Sequence, residues 1–417
     1  MTDLVVVGLG YVGLPVVAEA ARAGLSVKGL DLSTRVVDGL NAGRSHVDDL
    51  SDDEIAEALA AGFEATTDFA VVADAGAVVI CVPTPLSLDG GPDLAAVTGA
   101  AKGIAPHLAK GALVVLESTT YPGTTDEVLK PLLEEGSGLR AGEDFHLAFS
   151  PERIDPGNPT YGLRNTPKVV GGLTPACTKA AEELYGRFVD TVVIARGTRE
   201  AEAAKLLENT YRHVNIALVN EMARFFHELD IDFWDVIRLA GTKPFGFQAF
   251  YPGPGVGGHC IPIDPNYLSH RVRTQLGYAF RFVELAQEIN ATMPTYVAQR
   301  AQALLNDSAK AVKGSTVLLL GVTYKPNIAD QRESPATAVA SRLQALGAEV
   351  RYHDPYVQDW SVPGAQRVDD VMAGAQEADL TVLLQNHSDY DVDAIADKAR
   401  LFFDTRGVAE SDRSHRL

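Results

Sequence analysis

The sequence predicts an α/β protein of two doubly wound domains joined by a long central helix. A short run rich in β-branched residues, Leu4–Val7, leads directly into glycines spaced GxGxxG. A helical pattern runs from Thr198 to about Leu229, and roughly thirty residues at 1.5 Å each span about 45 Å, enough to connect two domains. A second series of buried strands and helices begins at Thr316. Such alternation is typical of parallel sheets with helices on both faces.

The composition is that of an ordinary globular protein of 417 residues, long enough for two or three domains. A net charge of -19 argues against a nucleic-acid partner, which requires a basic surface. Cys81, Cys177 and Cys260 are widely spaced, so we expect no disulfide framework, no metal site and a reducing, cytoplasmic location. Glycines and a proline interrupt the apolar run from Leu4 to Ala18, so we expect no membrane partner.

The N-terminal segment has the pattern of a dinucleotide-binding unit. Its three glycines permit a tight turn, a close approach of backbone to a pyrophosphate and close helix–strand packing. A second strand, Ser26–Leu30, ends at Asp31, which would accept hydrogen bonds from the ribose of NAD and repel the extra phosphate of NADP. Together these elements predict a Rossmann-like domain that binds NAD. The residues assigned to NAD here are Gly8, Gly10, Tyr11, Val12, Gly13, Asp31 and Arg35. A solvated position explains Arg35 equally well.

Polar side chains follow the next three predicted strands, which are Ala77–Val82, Ala112–Leu116 and His146–Phe149. Ligands of open parallel sheets lie beyond the carboxyl ends of strands. Thr84, Thr119 and Thr120 are therefore placed for a nicotinamide or a sugar, although capping of the next helix would also explain Thr119. Glu152 is a candidate acid/base or water-holding group, and a surface acid is the alternative.

The central helix carries one polar face and one apolar face. Lys205, Asn209 and Arg212 fall on the same side, as a site wall or as a solvated stripe. Glu200 and Glu202 lie in the first turn, where the helix dipole favours acids. The apolar face, core or dimer interface, consists of Ile216, Val219, Met222, Ala223 and Phe226.

A glycine- and proline-rich stretch, Tyr251–Asp264, surrounds Cys260. Its composition predicts a shaped loop that lets backbone approach a ligand closely. Cys260 is therefore a candidate nucleophile, and a buried structural thiol is the alternative.

The C-terminal part predicts a second doubly wound unit that lacks GxGxxG. Lys325 and Arg406 both follow strand ends, and Arg332 lies in the same strand-to-helix loop as Lys325. We therefore expect this unit to bind a phosphate-bearing group through side-chain cations.

Six blocks together resemble the UDP-glucose/GDP-mannose dehydrogenase family. The blocks are GLGYVGLP at 8–15, ESTTYPG at 117–123, SPER at 150–153, AKLLEN at 204–209, GVGGHCIPID at 255–264 and YKPNIADQRES at 324–334. They cover nearly the whole chain. SPERIDPGN, ENTYRHVNIALVNE and FYPGPGVGGHCIPIDP are most similar to the branch acting on UDP-N-acetylhexosamines, especially the UDP-N-acetylglucosamine 6-dehydrogenases. The UDP-glucose branch usually has a second glutamate where this chain has Pro156.

The resemblance implies two successive oxidations of a sugar's primary alcohol by NAD, through a thiohemiacetal and a thioester on Cys260. It implies domains 1–197 for NAD, 198–311 with the central helix and cysteine loop, and 312–417 for the UDP-sugar, in a homodimer formed through that helix. The implied catalytic residues are Cys260, Lys205, Asn209, Asp264, Thr120 and Glu152. The implied substrate residues are Glu152, Arg153, Lys205, Asn209, Arg212, Phe250, Tyr251, Gly257, Lys325 and Arg406, with Arg332 near NAD. His259 has no assigned chemical role.

Two other function classes remain open from the sequence. A two-electron hydroxyacid or acyl-CoA dehydrogenase would not need Cys260 or the C-terminal unit. A non-catalytic sugar-nucleotide sensor would not need the full set of Cys260, Lys205, Asn209 and Asp264.

Overall fold

The structure is a computed structural model that describes residues 2–47, 50–87, 91–155, 158, 160–258 and 261–417. Pro156, His259 and Cys260 lie outside the described residues. The chain forms two compact units. Unit 1 comprises Met1–Glu208 and Asn266–Gly277, and unit 2 comprises Asn209–Pro265 and Tyr278–Leu417.

Unit 1 contains a sheet of eight described strands in the order β3-β2-β1-β4-β5-β6-β7-β8. The strands are β1 (Thr2–Val7), β2 (Val27–Leu30), β3 (Glu64–Thr66), β4 (Ala75–Ile80), β5 (Leu113–Leu116), β6 (His146–Phe149), β7 (Lys168–Gly172) and β8 (Val192–Ile194). Neighbouring strands are parallel except for β6 and β7. The helices of this part are α1 (Gly13–Arg22), α2 (Thr34–Asn41), α3 (Asp52–Ala60), α4 (Ala95–Ile104), α5 (Lys130–Ser137) and α6 (Pro175–Tyr185).

The central strands are the most apolar because helices cover both faces of the sheet. In β1 every residue from Leu4 to Val7 is at most 3% exposed, and the strand pairs in parallel with β2 and β4. The predicted strand at Ala77–Val82 is displaced, since β4 covers Ala75–Ile80. Cys81 thus follows the strand, and it is buried in the core.

The long central helix is α7 (Thr198–Glu228), as predicted, and it continues from unit 1 into unit 2. Part of its predicted apolar face packs on α8 (Phe233–Gly241), where Ala223 is buried against Phe233 and Ile237. This face therefore contributes to the core of unit 2.

A helix that the sequence analysis did not predict, α9 (Asp264–Leu276), begins at the end of the glycine-rich loop. Its sequence, DPNYLSHRVRTQL, is too polar to show a clear apolar stripe. An acid followed by proline at the start of a polar segment is a helix-start signal that could have revealed it.

Unit 2 is built on a fully parallel sheet of six described strands in the order β11-β10-β9-β12-β13-β14. The strands are β9 (Thr316–Leu320), β10 (Glu349–His353), β11 (Gln366–Arg367), β12 (Leu380–Leu383), β13 (Phe402–Asp404) and β14 (Ser414–Arg416). The remaining helices are α10 (Arg281–Asp307), α11 (Pro335–Ala345), α12 (Val371–Glu377) and α13 (Val392–Lys398). The predicted second α/β unit is therefore confirmed. In the described parts of the chain every helix is too short or too polar to serve as a membrane-crossing segment.

Candidate active site

The turn between β1 and α1 shows why two of its three glycines are needed by the fold. Gly8 has φ 92°, and a Cβ on Gly13 would lie 1.9 Å from the Gly8 carbonyl oxygen. A Cβ on Gly10 would meet nothing within 4 Å. Gly8 and Gly13 therefore shape the turn, whereas Gly10 leaves open space above the start of α1, where a pyrophosphate can approach backbone N–H groups.

Asp31, directly after β2, completes this turn. Its Oδ2 accepts the Leu9 N–H at 3.0 Å and its Oδ1 accepts the Ser33 N–H at 2.9 Å. A carboxylate oxygen has a further lone pair, so both oxygens can still accept from a ribose hydroxyl. Arg35 is exposed on α2, and Tyr11 and Val12 are half-buried just before α1. The residues present fit a dinucleotide such as NAD.

Two of the strand-end threonines are in contact. Thr84 Oγ1 donates to the Thr119 carbonyl at 2.7 Å, and the hydroxyl of Tyr267 on α9 donates to the Thr84 carbonyl. Thr120 is 1% exposed, and among the described residues its hydroxyl has no hydrogen-bond partner. The next helical segment begins only at Thr125, so the helix-capping alternative for Thr119 is wrong. An orphaned buried hydroxyl suits contact with a ligand or a water molecule.

Glu152 and Lys205 form a buried ion pair in unit 1. Lys205 Nζ lies 3.0 Å from Glu152 Oε2 and also donates to the Glu152 carbonyl. Only 7% of the Lys205 side chain and 9% of the Glu152 side chain are exposed. The alternatives of a surface acid and a solvated lysine are therefore wrong.

Behind this pair lies a second buried lysine that sequence reasoning missed. Lys168 at the start of β7 contacts Glu117 Oε2 at 3.0 Å, donates to the Pro151 carbonyl at 3.4 Å and lies over the Tyr185 ring. The Tyr185 hydroxyl also donates to Glu117. Burial and the nearby Glu117 raise the pKa of the Cys81 thiol well above its usual range. This cluster ties the end of β5 to the segment that carries Glu152.

Glu202 was expected in the first turn of α7, but only Glu200 lies there, and Glu202 contacts a neighbouring segment. It is fully buried, and its carboxylate accepts from Gly123 N at 2.6 Å, Thr125 N at 2.9 Å and Thr125 Oγ1 at 2.7 Å. Burial raises its pKa to about 7 despite these three donors. Glu202 thus fixes the segment that follows Thr120. The sequence could not reveal this role, because Glu202 looks there like any other acidic residue near the start of a helix.

Arg153 is held on the surface of unit 1. It pairs with Glu208 at 2.8 Å and donates to the Pro167 carbonyl at 2.7 Å. The structure therefore places its side chain beside α7.

In unit 2, the side chains of Asn209 and Asp264 form a buried hydrogen bond. Asn209 Nδ2 donates to Asp264 Oδ2 at 2.6 Å, and the two residues are 6% and 3% exposed. Arg212 shares the helix face of Asn209 but is exposed.

The described part of the glycine-rich loop packs against the loop that follows β9. A Cβ on Gly257 would lie 2.6 Å from the Glu333 carbonyl and 2.7 Å from Tyr324 Cβ, so only glycine fits. The Gly258 N–H donates to the Arg332 carbonyl at 3.2 Å. These contacts fix the loop as far as Gly258, and Cys260 lies outside the described residues.

Phe250 and Tyr251, at the start of the glycine-rich loop, each contact another aromatic ring. Phe250 meets Tyr211 edge-on at 5.7 Å, and Tyr251 stacks on Trp234 at 6.0 Å while remaining 59% exposed.

The predicted cations of unit 2, Lys325 and Arg406, follow the carboxyl ends of strands β9 and β13. Arg406 Nε donates to the Leu384 carbonyl at 2.7 Å, and one of its terminal nitrogens lies 3.0 Å from the position of a Cβ on Gly253. Lys325 is half-buried in the loop after β9. The Arg332 side chain pairs with Asp330 at 2.6 Å. Within the described residues no group of three or more His, Cys, Asp or Glu side chains is arranged to hold a metal.

Comparison with known proteins identifies three family domains along the chain. Three models of the UDP-glucose/GDP-mannose dehydrogenase family match in order. They are the NAD binding domain at residues 2–189, the central domain at 199–292 and the UDP binding domain at 318–411.

Relatives of similar length cover almost the whole chain. A UDP-N-acetyl-D-mannosamine dehydrogenase of Salmonella typhimurium is 36% identical over 98% of this chain and 99% of its own. An NDP-N-acetyl-D-galactosaminuronic acid dehydrogenase of Ralstonia solanacearum is 35% identical over 98% of this chain and 96% of its own. A solved UDP-D-ManNAc dehydrogenase from Pyrococcus horikoshii superposes with a TM-score of 0.90, at 32% identity, over 100% of this chain and 99% of that chain. The chain therefore belongs to the UDP-glucose/GDP-mannose dehydrogenase family and is an NAD-dependent UDP-sugar dehydrogenase.

Proposed function

We propose that the chain oxidises the C6 primary alcohol of a UDP-N-acetylhexosamine to the uronic acid through two successive oxidations. The observation that carries the proposal is the pair of buried polar contacts along α7. Lys205 contacts Glu152, and one helical turn later Asn209 contacts Asp264. Asp264 follows Cys260 by four residues in the sequence, so the second pair includes a residue of the segment that carries the proposed nucleophile.

The choice of sugar rests on relatives and motifs. UDP-N-acetyl-D-mannosamine is the first candidate because relatives with that printed activity match the chain end to end. UDP-N-acetylglucosamine, which the motifs favoured, is the second. UDP-glucose is the third, since Pro156 stands where that branch usually has glutamate. The UDP-uronic acid product would be a sugar donor for polysaccharide biosynthesis.

Two NAD molecules, bound one after the other, would each accept one hydride. The residues proposed to hold it are Gly8, Gly10, Tyr11, Val12, Gly13, Asp31, Arg35, Thr84, Thr119 and Arg332. In the described turn, Gly10 leaves room for the pyrophosphate and Asp31 offers two acceptor oxygens to the ribose.

Cys260 adds to the aldehyde-level carbon and holds it as a thiohemiacetal, which the second oxidation converts to a thioester. Lys205 stabilises the oxyanion of the adduct with its buried positive charge. Glu152 accepts a proton from the water that cleaves the thioester, and Thr120, Asn209 and Asp264 position water and substrate. Cleavage releases the carboxylate and returns the thiol of Cys260.

The sugar nucleotide is proposed to be held by cations and by the glycine-rich loop. The residues are Glu152, Arg153, Lys205, Asn209, Arg212, Phe250, Tyr251, Gly257, Lys325 and Arg406. Lys325 and Arg406 are the proposed phosphate contacts because they lie beyond strand ends of unit 2. We propose segment 1–197 for NAD, 198–311 for the helix and cysteine loop, and 312–417 for the UDP-sugar.

We further propose a homodimer formed through α7 and α10. Leu218 and Phe225 lie two turns apart on one face of α7 and are 51% and 42% exposed, and Phe282 and Leu285 on α10 are 68% and 54% exposed. A second copy of the chain would cover these side chains. Leu218→Glu should convert a dimer to a monomer in light scattering, whereas a wild-type monomer would contradict the assembly.

A coupled assay tests the reaction. The four substrates are UDP-N-acetylmannosamine, UDP-N-acetylglucosamine, UDP-N-acetylgalactosamine and UDP-glucose, each followed for NADH and uronate. We expect two NADH per sugar consumed and no uronate from Cys260→Ala. One NADH per sugar, or uronate from the alanine variant, would overturn the covalent mechanism.

A further inference from the structure

The loop that follows β9 lies where the strand order of unit 2 reverses. β9 is flanked by β10 on one side and by β12 on the other, and the carboxyl edge at such a point is where open α/β sheets bind ligands. Two fully buried polar side chains follow the flanking strands. Asp354 comes directly after β10, and His387 comes shortly after β12. Neither residue has a role in the proposed reaction.

Hydrogen bonds define the tautomer of His387. Its Nδ1 lies 2.9 Å from the backbone nitrogen of Asn327, which can only donate. The lone pair is therefore on Nδ1 and the proton on Nε2, which lies 3.0 Å from Asp354 Oδ2. Asp354 is fixed in turn by the N–H groups of Val322 at 2.7 Å and Tyr356 at 2.8 Å.

This chain of hydrogen bonds ends on the backbone beside Lys325. Asn327 has φ 63°, a left-handed conformation that asparagine adopts more readily than most other L-residues. The Asn327 side chain accepts from Ser388 N at 2.8 Å. On the other side, Thr323 Oγ1 donates to the Lys325 carbonyl at 2.8 Å. Lys325 thus lies between two fixed points, Thr323 and Asn327.

We propose that His387 is a positioning residue for the UDP-sugar. By accepting the Asn327 N–H while Asp354 orients its ring, it sets the backbone from which Lys325 reaches a phosphate. The inference rests on the proposed function, in which Lys325 contacts the sugar nucleotide. His387 touches the loop rather than the substrate, so it should affect binding of the nucleotide and leave the chemical step unchanged.

Two amide variants separate the contact of Nδ1 with Asn327 from the contacts of Nε2, which are with Asp354 and, at 3.4 Å, with Thr323 Oγ1. In His387→Asn the side-chain carbonyl can replace Nδ1 as the acceptor of the Asn327 N–H, and the contact with Asp354 is lost. In His387→Gln the longer side chain can place an amide N–H towards Asp354, and the acceptor beside Asn327 is lost. We expect KM for the UDP-sugar and Kd for UDP to rise about tenfold in His387→Gln, about 1.4 kcal/mol. They should stay within about twofold of wild type in His387→Asn, with kcat and KM for NAD unchanged in both.

His353→Asn is the matched control. His353 ends β10 and its Nδ1 lies 3.2 Å from the Tyr390 hydroxyl, so this change disturbs the neighbouring cluster without removing a bond to the loop. Equal KM values in the two His387 variants, or a loss confined to kcat, would overturn the inference. A role in stability alone would lower the urea midpoint of both variants and leave the KM values equal.

Calorimetry with UDP alone distinguishes failure of this inference from failure of the proposed function. If the wild-type protein does not bind UDP, the proposed function fails. If it binds UDP and His387→Gln binds equally well, only the positioning role fails. A further measurement needs no variant, because the Asn327 amide of the UDP-free protein should exchange at least about tenfold more slowly than an unprotected amide. Unprotected exchange there would also overturn the inference.

Discussion

The ammonium group of Lys205 lies 3.0 Å from Oε2 of Glu152, and less than a tenth of either side chain is exposed. Two buried charges in this position must compensate each other, because leaving one charge alone in a protein interior typically costs about 3–5 kcal/mol. The pair therefore fixes the segment after β6 against α7. It also keeps a carboxylate and an ammonium group at one place, which is what thioester hydrolysis and oxyanion stabilisation would need.

Glu152→Gln should stop the reaction after the second oxidation. The amide keeps the shape of the side chain but cannot accept a proton from water, so we expect uronate formation to fall at least about a hundredfold. The sugar acyl group should then remain on Cys260 and appear as an added mass in intact-protein mass spectrometry. Adding Cys260→Ala should remove that mass. Normal turnover of Glu152→Gln would contradict the assigned role.

Gly10→Ala and Gly13→Ala should separate binding of NAD from packing. A Cβ at Gly13 would collide with the Gly8 carbonyl at 1.9 Å, so Gly13→Ala should lower both the urea midpoint and the affinity for NAD. A Cβ at Gly10 meets nothing, so Gly10→Ala should leave the urea midpoint unchanged and raise KM for NAD about tenfold or more. An unchanged KM in Gly10→Ala would argue against a pyrophosphate at this turn.

Asp31→Asn should weaken the preference for NAD over NADP. The amide retains an acceptor oxygen but loses the charge that repels a 2′-phosphate. We expect the ratio of kcat/KM for NAD to that for NADP to fall about tenfold. Arg35→Ala serves as the comparison, because Arg35 is exposed and has less support as a contact for the adenosine of NAD. A ratio unchanged in Asp31→Asn would place the ribose elsewhere.

Glu202 should make the stability of the protein depend on pH. Burial raises its folded-state pKa from 4.5 to about 7, so between these values the folded state binds more protons than the unfolded state. The free energy of unfolding should then fall as pH rises through this window, by a contribution on the order of 3 kcal/mol. Urea midpoints from pH 4.5 to 7.5 measure it. In Glu202→Gln the group no longer titrates, and this fall should disappear even if the overall stability is lower. An identical slope in the two proteins would show that Glu202 is ionised throughout.

The sequence by itself determined the two α/β units, the glycine turn with Asp31 and the long helix. These features arise from local periodicity and from neighbours in the chain, such as a buried β-branched strand followed at once by glycines. It also placed Lys205 and Asn209 on one helix face, because that follows from 3.6 residues per turn.

Tertiary structure alone decided which partner each of these side chains meets. Glu152 and Lys205 are 53 residues apart, and Glu202 reaches Gly123 across 79 residues. His387 meets Asn327 across 60 residues, because β12 lies beside β9 in the sheet. Strand order brings such groups together, and it leaves no periodic signal in the sequence. The polar helix α9 escaped prediction for a related reason, since it lacks the apolar stripe from which helices are recognised.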